Sequence, residues 1–179
     1  MVNIKDFNSL LIIQISGEIH FYCKTFRTFW IKHLGNGFGE LYEISSNFSA
    51  DNYLELLREK TIPALRNKYP EPHRIYFFQD QCPVHKNHRV ISYLQSLENF
   101  EVINLPPRGS DMNPIEHVWG MMVRRIKINP VWTLDEFRIA VQNAWDWAKN
   151  KDDYFVCLSQ SMTDRFMTVI GHDGWYTKY

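Results

Sequence analysis

The sequence predicts a mixed α/β domain with one central sheet and helices around it, and three observations carry that prediction. Strand-like segments come first, helical and strand patterns alternate in the middle, and helical patterns close the chain, an order that suits one sheet covered by helices. Hydrophobic residues make up 45% and aromatics 15% of the 179 residues, enough for one domain with a substantial core. Two short apolar runs, "RIYFFQD" and "EVINLP", are bounded by turn signals, as buried strands are.

Taken in order, "LLIIQIS" and "EIHFYCKTF" flank Ser16-Gly17 and read as paired strands. "RTFWIKHLGNGFGELYEIS" reads as two further strand segments around Gly35-Asn36-Gly37. The period then changes. In "SADNYLELLREKTIPALRNKYP" the residues Tyr53, Leu54, Leu57 and Leu65 follow helical spacing, with Ser49 or Asp51 as cap and Pro70 as stop. Pro63 is expected to bend or interrupt this helix. "RIYFFQD" is a buried strand, "KNHRVISYLQSLENF" a helix and "EVINLP" a strand closed by Pro106-Pro107. After the polar turn "RGSDMNP", Asn113 and Pro114 open a helix through "IEHVWGMMVRRI". Thr133 caps "TLDEFRIAVQNAWDWAKN", and "DDYFVCLSQSMTDRFMTVIG" is a last helix ending at Gly171.

Lys+Arg and Asp+Glu number 20 each, so the overall balance does not itself point to nucleic acid, although local patches can still do so. Cys23, Cys82 and Cys157 are far apart and form no zinc pattern or disulfide framework, which suits a reducing compartment. No signal peptide or apolar run long enough to cross a bilayer is present in the sequence. The strand-like region follows the first residues almost at once, so either the domain starts abruptly or a segment precedes it.

Two carboxylates stand out. Asp80 ends the buried strand within "YFFQDQCPVHK", and Glu116 lies in the first turn of the helix that Pro114 opens. One helix, one strand and one turn lie between them. In a parallel strand–helix–strand unit the second strand returns beside the first, so its end near Leu105 lies near Asp80. Sites in such sheets sit at the carboxyl ends of strands. Mg²⁺ prefers hard oxygen ligands and is usually held by one or two carboxylates, and two such ions support phosphodiester cleavage. The plainer reading makes Asp80 a turn former and Glu116 a helix cap.

The strings themselves add to this. "QDQCPVHK" and "LPPRGSDMNPIEHVWG" resemble, in order and interval, the signatures of the Tc1/mariner transposases of the DDE superfamily. The first resembles a "QDNxPxH" segment carrying the second catalytic Asp. The second resembles "WPPxSPDxNPIExxW", which carries the acid that ends the triad. The resemblance covers roughly residues 27–179 and leaves 1–26 poorly matched, with 1–179 read as a single domain. It implies an RNase H-like fold truncated at the N-terminal strand. It also implies metal-dependent cleavage and joining of DNA ends, Asp80 and Glu116 as catalytic metal ligands, and Mg²⁺ or Mn²⁺ as the ion. DNA (transposon ends and target) is the implied partner, with a homodimer and a nuclear location as further expectations and no membrane partner.

The sequence departs from the pattern at several points. Gln81 stands for Asn, Leu105 for Trp, Gly109 precedes Ser110 where Ser-Pro or Ala-Pro is common, and Ile31 follows Trp30 in place of Gly. The first acid, expected in an Asp-Glu pair on the opening strand, has no counterpart before residue 80; Asp6 precedes the strand run and Asp51 reads as a cap. The bipartite helix-turn-helix region of such transposases is not found in the sequence either. Weak or absent strand transfer is therefore expected, with a non-catalytic nucleic-acid- or protein-binding domain as the alternative.

The remaining candidates each have two readings. His85 and His88, with Lys86 and Arg89, form either a solvated basic helix face or a DNA-backbone contact beside the metal site. Arg108, Arg124, Arg125 and Lys127 are read as a basic group around Glu116 suited to phosphate. His117 is set on the surface or behind the site. Trp119, Trp145 and Trp147 are read as core rather than base-stacking platforms, and Cys82 as a small packed residue because no catalytic thiol pattern accompanies it.

Overall fold

The computed structural model describes residues 13–15, 28–33, 41–44, 48–70, 74–105, 112–129, 131–151 and 153–174. Five strands, β1 (Ile13–Ile15), β2 (Thr28–His33), β3 (Leu41–Ile44), β4 (Ile75–Gln79) and β5 (Phe100–Asn104), form one sheet in the order β3-β2-β1-β4-β5. β2 pairs antiparallel with both β1 and β3, whereas β4 runs parallel to both β1 and β5. The mixed sheet expected from the sequence is thus present, with β1 at its centre. "EIHFYCKTF" and the Gly35-Asn36-Gly37 turn lie outside the described residues, as does Asp6.

β4 is buried along its whole length because both of its faces are covered. Successive strand residues point to opposite faces. Ile75 and Phe77 pack with Tyr53, Leu57, Leu65, Val90 and Leu94 on one side. Tyr76 and Phe78 pack with Leu105, Met112 and Met162 on the other. The first side is covered by α1 (Ala50–Leu56), α2 (Ile62–Lys68) and α3 (His88–Gln95), and the second by α6 (Tyr154–Gly171). A continuous apolar run is what a strand buried on both faces requires. α4 (Pro114–Ile126) and α5 (Leu134–Lys149) join α6 in a separate helical cluster around Val118, Met122, Phe137, Trp145 and Phe155.

Local signals explain most helix boundaries. Ser49 rather than Asp51 caps α1, with Asn52 completing a reciprocal pair of bonds. Pro63 does not break the helix, because a π turn, Leu57–Thr61, joins α1 to α2 without interruption. Ile62 N–H reaches back to Leu57 O, the wider spacing that removes the usual demand on the missing proline N–H. Thr133 caps α5, its hydroxyl accepting from Glu136 N–H at 3.2 Å while the Glu136 carboxylate accepts from Thr133 N–H at 3.0 Å. Thr133→Ala is expected to destabilise the fold by about 1 kcal/mol, measured by urea denaturation; no change in the midpoint would contradict this. α6 ends at Gly171, as the sequence predicts; just beyond it Asp173 and Gly174 take positive φ, and Gly174 N–H reaches back to Val169 O at 2.9 Å.

Candidate metal centre

Asp80 leaves the sheet where β4 ends. The two neighbouring strand tips are fastened there. Leu105 N–H donates to Gln79 O at 2.9 Å, and Gln81 Nε2 donates to Leu105 O at 2.8 Å. Gln81, which stands where the resembled motif has Asn, is therefore a clamp between the tips. On the other face Tyr53 Oη donates to Gln79 Oε1 at 3.5 Å, and Gln79 Nε2 donates to Asn104 Oδ1 at 3.2 Å.

Pro83 then starts a tight turn over residues 83–86. His85 N–H and Lys86 N–H both donate to Cys82 O, at 3.0 and 3.3 Å. The turn folds His85 back under Asp80, so that Nδ1 lies 2.7 Å from Asp80 Oδ1. The same oxygen accepts from Cys82 N–H at 2.9 Å. The His85 side chain is 0% exposed, whereas the Asp80 side chain is 41% exposed. His85 also stacks on Tyr53, with ring centroids 4.7 Å apart. This corrects the sequence reading of His85 as part of a solvated basic face. It is enclosed, beyond the reach of a phosphate, and its structural role is to hold the Asp80 carboxylate.

Glu116 lies in the first turn of α4, behind the Asn113 cap whose side chain accepts from Ile115 N–H at 3.1 Å. α4 rests against β1, the strand beside β4. Glu116 is close enough to Asp80 to feel its charge: its carboxyl is raised above the usual range, first by desolvation and second by Asp80. Burial, followed by the charges of Asp80 and Cys82, raises the Tyr53 phenol well above its ordinary value, so Tyr53 stays neutral. Asp80 after β4 and Glu116 at the start of α4 are oxygen donors of the kind a hard divalent cation takes.

This raised pKa, set first by desolvation and then by Asp80, has a measurable consequence. The folded chain holds the Glu116 proton more tightly than the unfolded chain, so stability falls as pH rises from the ordinary carboxylate range through the raised folded value. Solvent screening keeps the effect below about 1 kcal/mol. Metal-free Glu116→Gln should match the wild type at low pH and melt higher near neutrality, by at most about 2–4 °C. A difference that did not change with pH would contradict this account.

The other candidates are scattered. Lys86, His88 and Arg89 are exposed at the start of α3, and Arg89 is ion-paired with Asp51. Arg124, Arg125 and Lys127 lie at the far end of α4, Arg124 about 12 Å along the axis from Glu116. They form an exposed basic end of α4, with Arg124 near enough to His117, the neighbour of Glu116, for its charge to lower that pKa; Arg108 lies outside the described residues. Trp119 and Trp145 are core, as expected. Trp147 is only half-buried and carries two cations on its ring, with Arg125 at 5.3 Å and Lys151 at 4.7 Å from the centroid.

Arg165 was not anticipated. It is 2% exposed, its Nε donates to Ser161 Oγ at 3.1 Å, and its Nη2 lies 3.4 Å from His117 Nε2. Burial first, and then the Arg165 charge, lower the His117 pKa, so His117 is held neutral behind Glu116. No spacing in the sequence marks Arg165, because its partner His117 comes from α4. His85 did carry a signal: a proline turn between an acid and a histidine folds the second toward the first.

The described part of β1, Ile13-Gln14-Ile15, contains no carboxylate. Among the described residues no helix is long and apolar enough to cross a membrane.

Residues 40–138 match the family described as DDE superfamily endonuclease. The Tc3 transposase of Caenorhabditis elegans is 27% identical over 139 residues, covering 75% of this chain and 40% of that protein. The Tc1 transposase of the same organism is 31% identical over 103 residues, 58% of this chain and 37% of the relative. The chain thus spans about two-fifths of the length of these relatives. Among solved structures, the catalytic domain of Mos1 mariner transposase superposes with a TM-score of 0.81 at 19% identity, covering 98% of this chain and 90% of that one. The Mos1 catalytic domain with raltegravir and Mn superposes at 0.80 with 20% identity. The fold is therefore RNase H-like.

Proposed function

This chain belongs to the DDE superfamily endonucleases, as a Tc1/mariner-like transposase catalytic domain, and from that premise we propose that Asp80 and Glu116 bind Mg²⁺ or Mn²⁺ and act on the phosphodiester backbone of DNA. The observation that carries the reading is geometric: Asp80 directly follows β4, and Glu116 lies in the first turn of α4, which packs against the neighbouring strand β1. Bound there, the ion would polarise the scissile phosphate and activate the attacking oxygen. The chain's own residues do the positioning. His85 and the Cys82 N–H orient Asp80, and the Asn113 cap sets the turn that carries Glu116. The exposed basic groups at Lys86, Arg89, Arg124, Arg125 and Lys127 are proposed to meet DNA phosphates outside the acid pair. Transposon ends and target DNA are the proposed substrates, with a homodimer as the working assembly and the nucleus as the location.

Cleavage by this chain alone is proposed to be weak. The sequence has no Asp-Glu pair before residue 80, and the described part of β1 adds no acid. Two carboxylates hold a pair of cations less firmly than three. The test is nicking of supercoiled plasmid by the purified chain with Mn²⁺. Little or no nicking is expected. Efficient metal-dependent nicking that Asp80→Ala abolishes would overturn the proposal of weak activity while supporting the metal site.

A further inference from the structure

We propose that Asp80, Cys82 and His85 form a second kind of metal site, one that takes a zinc-like transition-metal ion. One ligand atom from each, a carboxylate oxygen, the thiol sulfur and an imidazole nitrogen, lie within 4.8 Å of one another. The three are held by a single short turn. Asp80 Oδ1 accepts from Cys82 N–H at 2.9 Å, His85 N–H donates to Cys82 O at 3.0 Å, and His85 Nδ1 already lies 2.7 Å from Asp80 Oδ1. A tilted ring contact with Tyr53, centroids 4.7 Å apart and planes at 48°, supports the imidazole.

The donor set decides the ion. Mg²⁺ and Mn²⁺ favour oxygen, whereas sulfur and imidazole donors favour Zn²⁺ and Co²⁺. A tetrahedral ion with bonds of about 2.0–2.3 Å sets its ligands about 3.5 Å apart. The Asp80–His85 pair must open from 2.7 Å while wider ligand separations, up to 4.8 Å, close; Asp80 and Cys82 are both only partly buried, so side-chain rotation can make both changes. Three protein ligands leave a fourth position for water. On binding, the Cys82 thiol proton goes to solvent and the imidazole proton resides on Nε2, leaving the Nδ1 lone pair for the ion.

Asp80 is shared with the Asp80–Glu116 pair. A zinc-like ion would hold this carboxylate and so compete with Mg²⁺ or Mn²⁺. The competition rests on the proposed function above; the site itself does not.

Co²⁺ is the probe. Titrated into the purified full chain, it should produce a thiolate-to-cobalt absorption in the near ultraviolet, reversed by added Zn²⁺. Cys82→Ala should remove this absorption and lower Zn²⁺ affinity by at least the roughly 10–100-fold that loss of even an outer hydrogen-bond partner of a metal ligand costs. Cys23→Ala and Cys157→Ala should retain the absorption. Cys82→Ser, with a circular dichroism melt on each variant, separates loss of the ligand from loss of the fold. Glu116→Gln should keep the cobalt absorption while weakening Mn²⁺ binding, so the two sites can fail independently. An absent thiolate band, or one that survives Cys82→Ala, would overturn the proposal.

Discussion

Asp80→Asn is expected to lower the Mn²⁺ affinity of the purified chain by at least about 10–100-fold, a loss already seen when only an outer partner of a metal ligand is removed. The substitution keeps the shape of the side chain but removes the negative charge that Glu116 feels. It also replaces the carboxylate oxygen that His85 and the Cys82 N–H hold. Isothermal titration calorimetry would read the affinity. Unchanged Mn²⁺ binding would remove Asp80 from the metal site. In the metal-free state the same change relieves repulsion, so Glu116 should titrate closer to an ordinary carboxyl.

Phe77→Ala should destabilise the fold by about 3–5 kcal/mol, because it empties a large and fully enclosed position. Phe77 is 0% exposed, sits at the centre of β4 and packs on Phe100 with ring centroids 5.3 Å apart. It also belongs to the cluster that joins the sheet to α1, α2 and α3. Chemical denaturation of a variant that still folds would give the value directly. A loss below about 1 kcal/mol would mean that the core collapses around the gap. Because Asp80 stands three residues further on, the damage should reach the site, and Mn²⁺ affinity should fall along with stability.

Much of the architecture could be read from short-range chemistry. Asn113 and Pro114 mark the start of α4 because an extended cap and a pre-set φ act within one turn. Thr133 and Glu136 mark α5 for the same reason. β4 was legible because a strand buried on both faces must be apolar at every position. Other features depend on groups distant in the chain. The π turn before Pro63 answers a backbone demand that propensity does not encode. The enclosure of His85, in a turn, requires Tyr53 from α1. The burial of Arg165 requires His117, forty-eight residues away.

By itself, the sequence determined the element order, the apolar strand ending on Asp80 and the capped turn carrying Glu116, because each rests on contacts within a few residues. It also determined the absence of an Asp-Glu pair ahead of residue 80. The tertiary structure alone decided the desolvation of Glu116 and its nearness to the Asp80 charge, which in that order raise its pKa. It alone placed His85 beneath Asp80 rather than on a surface. Such outcomes depend on how helices pack across the sheet, and electrostatic coupling depends on distance in space rather than along the chain.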